Sequence, residues 1–172
     1  MKNIFILLSI SIATCVHSQV AIGKDNVTNN SVSLEFGSAN KGLLLPWVTS
    51  TASVAGAVDG TIIYDLIEKK VKYLKDGNWF DLSVDNTGKV INNVQDALSE
   101  NPSAKVVIGS DGISNPTPGI LVLSDTDKAM VLPKVESPHL NIINPAAGMI
   151  AYDTASRQLA VFNGTVWSFW KP

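Results

Sequence analysis

Cysteine and histidine are scarce in this chain of 172 residues, which has one cysteine, Cys15, and two histidines. A disulfide framework needs paired cysteines, so none can form within the chain. Zinc sites need three or four nitrogen, sulfur or carboxylate ligands, whereas His139 stands alone in the sequence Ser-Pro-His-Leu-Asn. We therefore predict no metal site and no cofactor, and we interpret His139 as a loop residue without a chemical role.

Long apolar runs are also lacking, apart from one that follows Lys2 and extends from Ile4 to about Thr14. This run is shorter than the roughly 18–20 residues that cross a bilayer, and it has the pattern of a secretory signal peptide. We predict a signal peptide over residues 1–18 and no membrane span. Lipidation of Cys15 is a less favoured alternative. The expected location is the cell surface or the extracellular space, with the periplasm as the alternative.

Positive charge is in short supply. The 13 basic and 15 acidic side chains give a net charge of −2, which becomes −3 when Lys2 leaves with the signal peptide. Such a chain lacks the basic face that displaces counterions from phosphates, so nucleic acid is not an expected partner. The lysines between Lys69 and Lys75 alternate with Val71 and Tyr73, which predicts a solvated strand face.

What the sequence does contain is an internal repeat. The segment Gly60 to Trp79 has a looser copy at Gly148 to Trp167, and both begin with the pattern Gly-x-Ile-x-Tyr-Asp. Self-similarity at this distance indicates two copies of one folding unit. We place the first β repeat at residues 19–84, a connector at 85–105 and the second β repeat at 106–172.

Each copy has the signals of short antiparallel strands, so the predicted fold class is mainly all-β, with two similar β-meanders. Asp76-Gly77 and Asn163-Gly164 provide the positive φ angles of tight turns. The apolar runs Gly42 to Pro46 and Gly119 to Leu123 do not alternate, which predicts strands covered on both faces. Helical spacing over about Val90 to Glu100 predicts one short helix as the connector.

These motifs have a familiar order: Gln-Val-x-Ile-Gly, then Lys-Gly-Leu-Leu-Leu-Pro, then Gly-x-Ile-x-Tyr-Asp, then a glycine and a tryptophan. The chain resembles a family of secreted, often repeated β-rich proteins of Bacteroidetes, which is similar to distal segments of phage tail fibres. The resemblance covers residues 19–83 and 106–170. It implies a noncatalytic surface, fibre or adhesion role. A basic residue commonly follows the Leu-Pro step in that family; Lys134 fits, but Trp47 takes its place in the first copy.

Tryptophans are the strongest candidates for a binding site, since their faces stack on sugars. Trp79 and Trp167 recur in equivalent places and are predicted core residues, whereas Trp47 and Trp170 do not recur. We therefore name Trp47, Lys134 and Trp170 as candidate ligand or partner contacts, with the core or a subunit interface as the other interpretation of the two tryptophans.

Two further motifs involve aspartates at the end of a predicted strand. Asp65 and Asp153 hold equivalent positions, and we interpret them as turn caps rather than as an acid/base pair. Asp153-Thr154-Ala155 is similar to an O-glycosylation signal of exported Bacteroidetes proteins, which makes Thr154 a candidate modification site.

The sequence therefore predicts a secreted, noncatalytic, cell-surface structural or adhesion protein that is not an enzyme. Envelope or surface proteins, or glycans, are the expected partners, and a homo-oligomer is the expected assembly. The alternative is a carbohydrate-binding module that uses a surface tryptophan as its stacking platform.

Overall fold

A computed structural model of the protein describes residues 19–91, 99, 101, 103–112 and 114–171. The predicted signal peptide with Cys15, and the 92–98 and 100 part of the predicted connector helix, lie outside these residues. The described chain is built from short strands, with a single turn of 3-10 helix at Thr51–Ser53 and one helix, α1, at Pro138–Asn141. The prediction of an all-β fold is confirmed.

Residues 19–84, here copy 1, and residues 106–172, here copy 2, have seven strands each in their described parts. Those of copy 1 are β1 (Val20–Ile22), β2 (Val32–Phe36), β3 (Leu43–Leu44), β4 (Trp47–Val48), β5 (Ile62–Asp65), β6 (Lys70–Lys75) and β7 (Asn78–Asp81). Those of copy 2 are β8 (Val106–Ile108), β9 (Leu121–Leu123), β10 (Ala129–Val131), β11 (Lys134–Val135), β12 (Met149–Asp153), β13 (Gln158–Phe162) and β14 (Trp167–Trp170).

The two copies use the same pairings. Strands β5, β6 and β7 form an antiparallel meander, as do β12, β13 and β14, and a parallel strand, β4 or β11, lies beside the first strand of each. The register confirms the equivalence, because Trp47 is opposite Tyr64 and Lys134 is opposite Tyr152. Asp76 and Gly77, which have positive φ, make the turn that was predicted between β6 and β7.

Each copy also contains strands outside its meander. Strand β1 pairs in parallel with β2, and β8 pairs in parallel with β9. Parallel neighbours cannot be joined by a tight turn, so a long irregular connection separates the strands of each pair. The result resembles a β-solenoid, in which strands far apart in sequence stack side by side.

Two strands pair with a strand of the other copy. Strand β3 of copy 1 pairs with β12 of copy 2, and β10 of copy 2 pairs in parallel with β2 of copy 1. The main hydrophobic core is correspondingly shared. Its buried members come equally from copy 1 (Leu45, Tyr64, Val71) and copy 2 (Ala147, Ile150, Val161). The two small halves therefore pack on each other and bury one core together.

The predicted burial of the two unalternating apolar runs is wrong in part. In the first run Leu45 is buried, but Leu44 is 46% exposed. In the second run Leu121 is 40% exposed, because β9 has only β8 beside it within the described residues. The predicted solvated lysine face is wrong at Lys72, which is buried.

Candidate functional site

The junction between the copies combines buried aromatic side chains with hydrogen bonds that join one copy to the other. Tyr64 of copy 1 is fully buried, and its hydroxyl donates a hydrogen bond of 2.6 Å to the Asn163 carbonyl oxygen of copy 2. The indole N–H of Trp47 donates to the Ala147 carbonyl oxygen over 2.7 Å. Two aromatic side chains of one copy are thereby fixed to the backbone of the other.

A glycine makes this close contact feasible. Gly148 has φ +80°, and a Cβ atom placed on it would lie 2.8 Å from the Tyr64 Cβ and 3.3 Å from the Trp47 Nε1. Both the backbone conformation and the lack of space favour glycine. The β12 strand therefore begins against the Tyr64 and Trp47 side chains of copy 1.

Polar contacts extend the junction along the segment after β7. The Asn163 amide donates to the Asp85 carboxylate over 2.8 Å, and the Val84 N–H donates to the Ser168 hydroxyl over 2.9 Å. The indole N–H of Trp170 donates to the Leu82 carbonyl oxygen. The Asn163 and Ser168 side chains are buried and need hydrogen-bond partners, so the contacts that they make with Asp85 and Val84 hold copy 2 in place.

Burial raises the pKa of the Tyr64 phenol to about 12, with a further contribution from the negative charge of Asp65. The phenol is therefore a hydrogen-bond donor throughout the physiological range, and the arrangement is that of a structural tie.

The three candidate contact residues differ in their burial and in their surroundings. Trp47 is half-buried against Tyr64, at a ring-centroid distance of 6.3 Å, and belongs to the rim of the shared core. Lys134 is exposed on β11. Trp170 is 44% exposed at the end of β14, although its indole N–H is bonded. Of the two tryptophans, only Trp170 presents much of its side chain to solvent.

Thr154 is exposed in the turn that follows β12. Its backbone N–H donates to the Val135 carbonyl oxygen over 3.0 Å, which joins the turn to β11. Glycosylation of Thr154 remains a prediction.

The aspartates are turn caps, as predicted. The Asp65 carboxylate accepts hydrogen bonds from the N–H groups of Ile67 and Glu68. The Asp153 carboxylate accepts from Ala155 and from Ser137, which joins the loop before α1 to β12. Burial opposes the charge on Asp153, but these N–H donors outweigh it and lower the pKa of the carboxyl.

The described residues form no cluster of side chains that suits a metal site. No group of three or more histidine, cysteine, aspartate or glutamate side chains there could hold a metal ion. His139 packs edge-on against Phe169 at a ring-centroid distance of 5.6 Å. None of the described helices is long and apolar enough to cross a bilayer.

The buried Lys72 belongs to an ion-pair cluster. Its ammonium lies 2.8 Å from the Glu68 carboxylate and 3.0 Å from that of Asp81, which also pairs with Lys70. Burial disfavours the charge, but the two carboxylates outweigh burial and raise the pKa of Lys72. Lys70 and Lys72 thus belong to an ion-pair cluster, whereas Lys69 and Lys75 are exposed.

Comparison with known proteins bears on copy 2. Residues 108–171 match the family model of the phage tail like trimerisation region. Copy 2 is similar to a phage-tail trimerisation region. No curated protein and no solved structure matches the chain. The match supports the predicted similarity to phage tail-fibre segments, and the all-β fold fits a tail-fibre-like structural protein.

Sequence reasoning missed the junction residues Tyr64 and Asn163. Both belong to recognised motifs, the Tyr-Asp pair and the Asn-Gly turn, but each was assigned a role only within its own copy. The signal that was available is Gly148, because a glycine in a repeated position can mark a close approach of another segment.

Proposed function

We propose that this protein is an exported, noncatalytic structural component that assembles with further copies of itself at the cell surface and contributes to adhesion. The observation that carries the proposal is the match of residues 108–171 to a trimerisation region. A small β protein with a shared core, polar ties across its junction and exposed apolar strand positions suits assembly better than turnover of a substrate.

The first test measures assembly. The purified protein is expected to sediment as a homo-oligomer, with a trimer as the leading stoichiometry, and to dissociate on dilution. A chain that remains monomeric over the whole concentration range that can be studied would contradict the proposal at its base.

The second test measures location. Antibodies against residues 19–172 are expected to label intact cells of the native host as strongly as permeabilised cells. Labelling that requires permeabilisation would contradict the surface role, while leaving assembly in place. The two experiments therefore separate the structural part of the proposal from the location.

A glycan-binding role is the second candidate, and the exposure of Trp170 favours it. The face of Trp170 lies on the end strand of its sheet, and the bonded N–H restrains the ring. Replacement of Trp170 by alanine is expected to abolish binding to a polysaccharide array. The matched control is Trp47→Phe, which changes a tryptophan at the junction. If binding survives in the Trp170 variant, that residue is not the platform.

A further inference from the structure

The two copies provide an internal comparison at the β2 and β9 strands. In both copies this strand pairs in parallel with the strand before it, and Leu34 and Leu121 occupy equivalent register positions. In copy 1 β10 covers the other edge of β2, and Leu34 is 1% exposed. In copy 2 nothing described covers β9, and Leu121 is 40% exposed, with the neighbouring Ile120 62% exposed.

An uncovered two-stranded parallel sheet is unfavourable. Parallel sheets are normally buried on both faces, and a pair of strands alone is marginally stable in water. Within the described residues the second edge of β9 has backbone donors and acceptors without a neighbouring strand, next to apolar side chains, which is a template for a further strand. The strand that would fit is equivalent to β10.

The chain has one other element of this kind, which is β3. The sequences Gly-Leu-Leu-Leu-Pro and Ala-Met-Val-Leu-Pro align β3 with β10. Transfer of the β10 register to β9 places Leu43 opposite Leu121 and Leu44 opposite Val122. Leu44 is itself 46% exposed. The β3 strand already pairs with β12 of its own chain, so it would reach β9 of another molecule through its second edge.

The Tyr64 contact shows the same imbalance. Tyr64 is buried against Asn163, whereas Tyr152, its equivalent, is half-buried and its hydroxyl has no hydrogen-bond partner among the described residues. On the receiving side, Gly148 is packed against Tyr64 and Trp47, whereas a Cβ atom placed on Gly60, its equivalent, would meet no atom within 4 Å. Copy 2 thus leaves open the face around Tyr152, which is equivalent to the Tyr64 face that packs within the chain. Copy 1 leaves open the face around Gly60, which is equivalent to the Gly148 face that receives Tyr64.

We infer that copy 2 of one molecule docks on copy 1 of a second molecule of the same chain, head to tail, as copy 1 docks on copy 2 within the chain. In this arrangement β3 of the second molecule covers β9 of the first. The inference rests on the proposed homo-oligomer and assigns its contact surface. A head-to-tail contact of this kind closes into a ring or continues as a fibre.

Charge favours a second copy as the occupant. Lys134 stands where Trp47 stands in copy 1, and Asp59 stands where Ala147 stands in copy 2. Both Lys134 and Asp59 are exposed. The Trp47 indole meets the Ala147 backbone carbonyl within the chain, so the equivalent contact brings Lys134 of one molecule close to Asp59 of the other. The Asp59 carboxylate already accepts hydrogen bonds from the Asp76 and Gly77 N–H groups, and its negative charge attracts the lysine.

One pairing is not carried over. The contact of β3 with β12 depends on Gly42, because a Cβ atom there would collide with the Met149 side chain and lie 2.9 Å from the Ile150 carbonyl oxygen. Ala129 stands at the equivalent place before β10. The proposed interface therefore consists of the β9 edge and the Tyr152 and Lys134 face.

Disulfide trapping tests the register directly. Two proteins are prepared with Cys15→Ser, one carrying Leu44→Cys and the other Val122→Cys, and are mixed under mild oxidation. The mixture is expected to give a crosslinked dimer of unlike chains, because neighbouring strands bring such positions within disulfide range. The matched control is Ile67→Cys in place of Leu44→Cys, which puts the thiol on another exposed apolar site of copy 1.

A charge on the β9 edge tests the energetics. Leu121→Lys is expected to weaken self-association by about tenfold or more in sedimentation equilibrium, whereas Ile143→Lys, on an exposed residue away from any strand, leaves it unchanged. Circular dichroism is used to check that both variants are folded.

The outcomes separate the two proposals. Oligomers that persist without a specific crosslink, or with undiminished association in Leu121→Lys, overturn the assigned surface and leave the homo-oligomer intact. A crosslink that forms equally with Ile67→Cys, or one joining Val122→Cys to a different polypeptide from the native host, also overturns it. A protein that is monomeric throughout overturns both the surface and the assembly.

Discussion

Replacing Tyr64 by phenylalanine removes one hydroxyl from the junction and nothing else. The hydroxyl donates over 2.6 Å to the Asn163 carbonyl oxygen, and Tyr64 is fully buried, so water cannot replace the lost donor. A buried acceptor left without a partner costs about 1–3 kcal/mol. We expect the free energy of unfolding to fall by that amount, a large fraction of the total for a small domain.

The chain carries its own control for this change. Tyr152 occupies the equivalent position in copy 2, is half-buried and makes no hydroxyl hydrogen bond with the described residues. Tyr152→Phe is therefore expected to change the free energy of unfolding by less than about 0.5 kcal/mol. Urea unfolding followed by circular dichroism, at a concentration where sedimentation shows monomer, compares the two variants with the parent protein.

Alkaline pH provides a second measurement on the same hydroxyl. The pKa of Tyr64 is about 12, above its ordinary value of 10.0. Folding therefore favours the protonated phenol, and its contribution is complete below pH 10 and is lost as pH rises toward 12. Tyr64→Phe is expected to flatten this alkaline decline. Equal destabilisation by the two tyrosine changes, or an unaltered alkaline decline, would refute the reasoning that the copies are tied through Tyr64.

Two further changes have defined expectations. Hydrogen bonds from a lysine and a threonine lower the pKa of Glu35 from 4.5 to about 2. The contribution of Glu35 to the free energy of unfolding is therefore present above pH 4.5 and is lost as pH falls toward 2. Glu35→Gln should flatten this acid decline in stability, measured by urea unfolding. Gly42→Ala should destabilise the protein by about 1–3 kcal/mol, because the new Cβ meets the Met149 side chain and the Ile150 carbonyl oxygen. The control is Gly112→Ala, whose Cβ would have its nearest neighbours at 3.8 Å. It should be nearly neutral in the same assay.

The local part of the fold could be predicted from sequence, because each signal acts over a few residues. The turn residues Asp76 and Gly77 required positive φ, and the alternating residues on either side specified antiparallel strands. The caps Asp65 and Asp153 were likewise evident, because an aspartate that ends a strand bonds to N–H groups two residues on.

The long-range part could not be predicted in the same way. Strand β2 has the sequence Val-Ser-Leu-Glu-Phe, whose polar positions indicate one solvated face, yet Ser33 and Glu35 are both buried between β1 and β10. Glu35 tolerates burial because Lys24 lies 2.8 Å away and Thr28 donates to it. Lys72 is a similar case, since its carboxylate partners decide its burial. The polar residues of β2 and the lysines of β6 do not indicate which strands become their neighbours.

Repetition with different surroundings explains why equivalent positions carry different residues. Inside the chain the contact is permanent, and a tryptophan packed against a backbone carbonyl, Trp47 on Ala147, needs no reversibility. Between molecules the equivalent positions must stay soluble before assembly, and the exposed Lys134 and Asp59 satisfy that condition. A surface ion pair contributes only about 0–1 kcal/mol, so it selects and orients the partner, while the apolar β9 edge supplies the affinity. The departures between the copies are therefore expected to concentrate at the contacts that one copy makes within the chain and the other makes between chains.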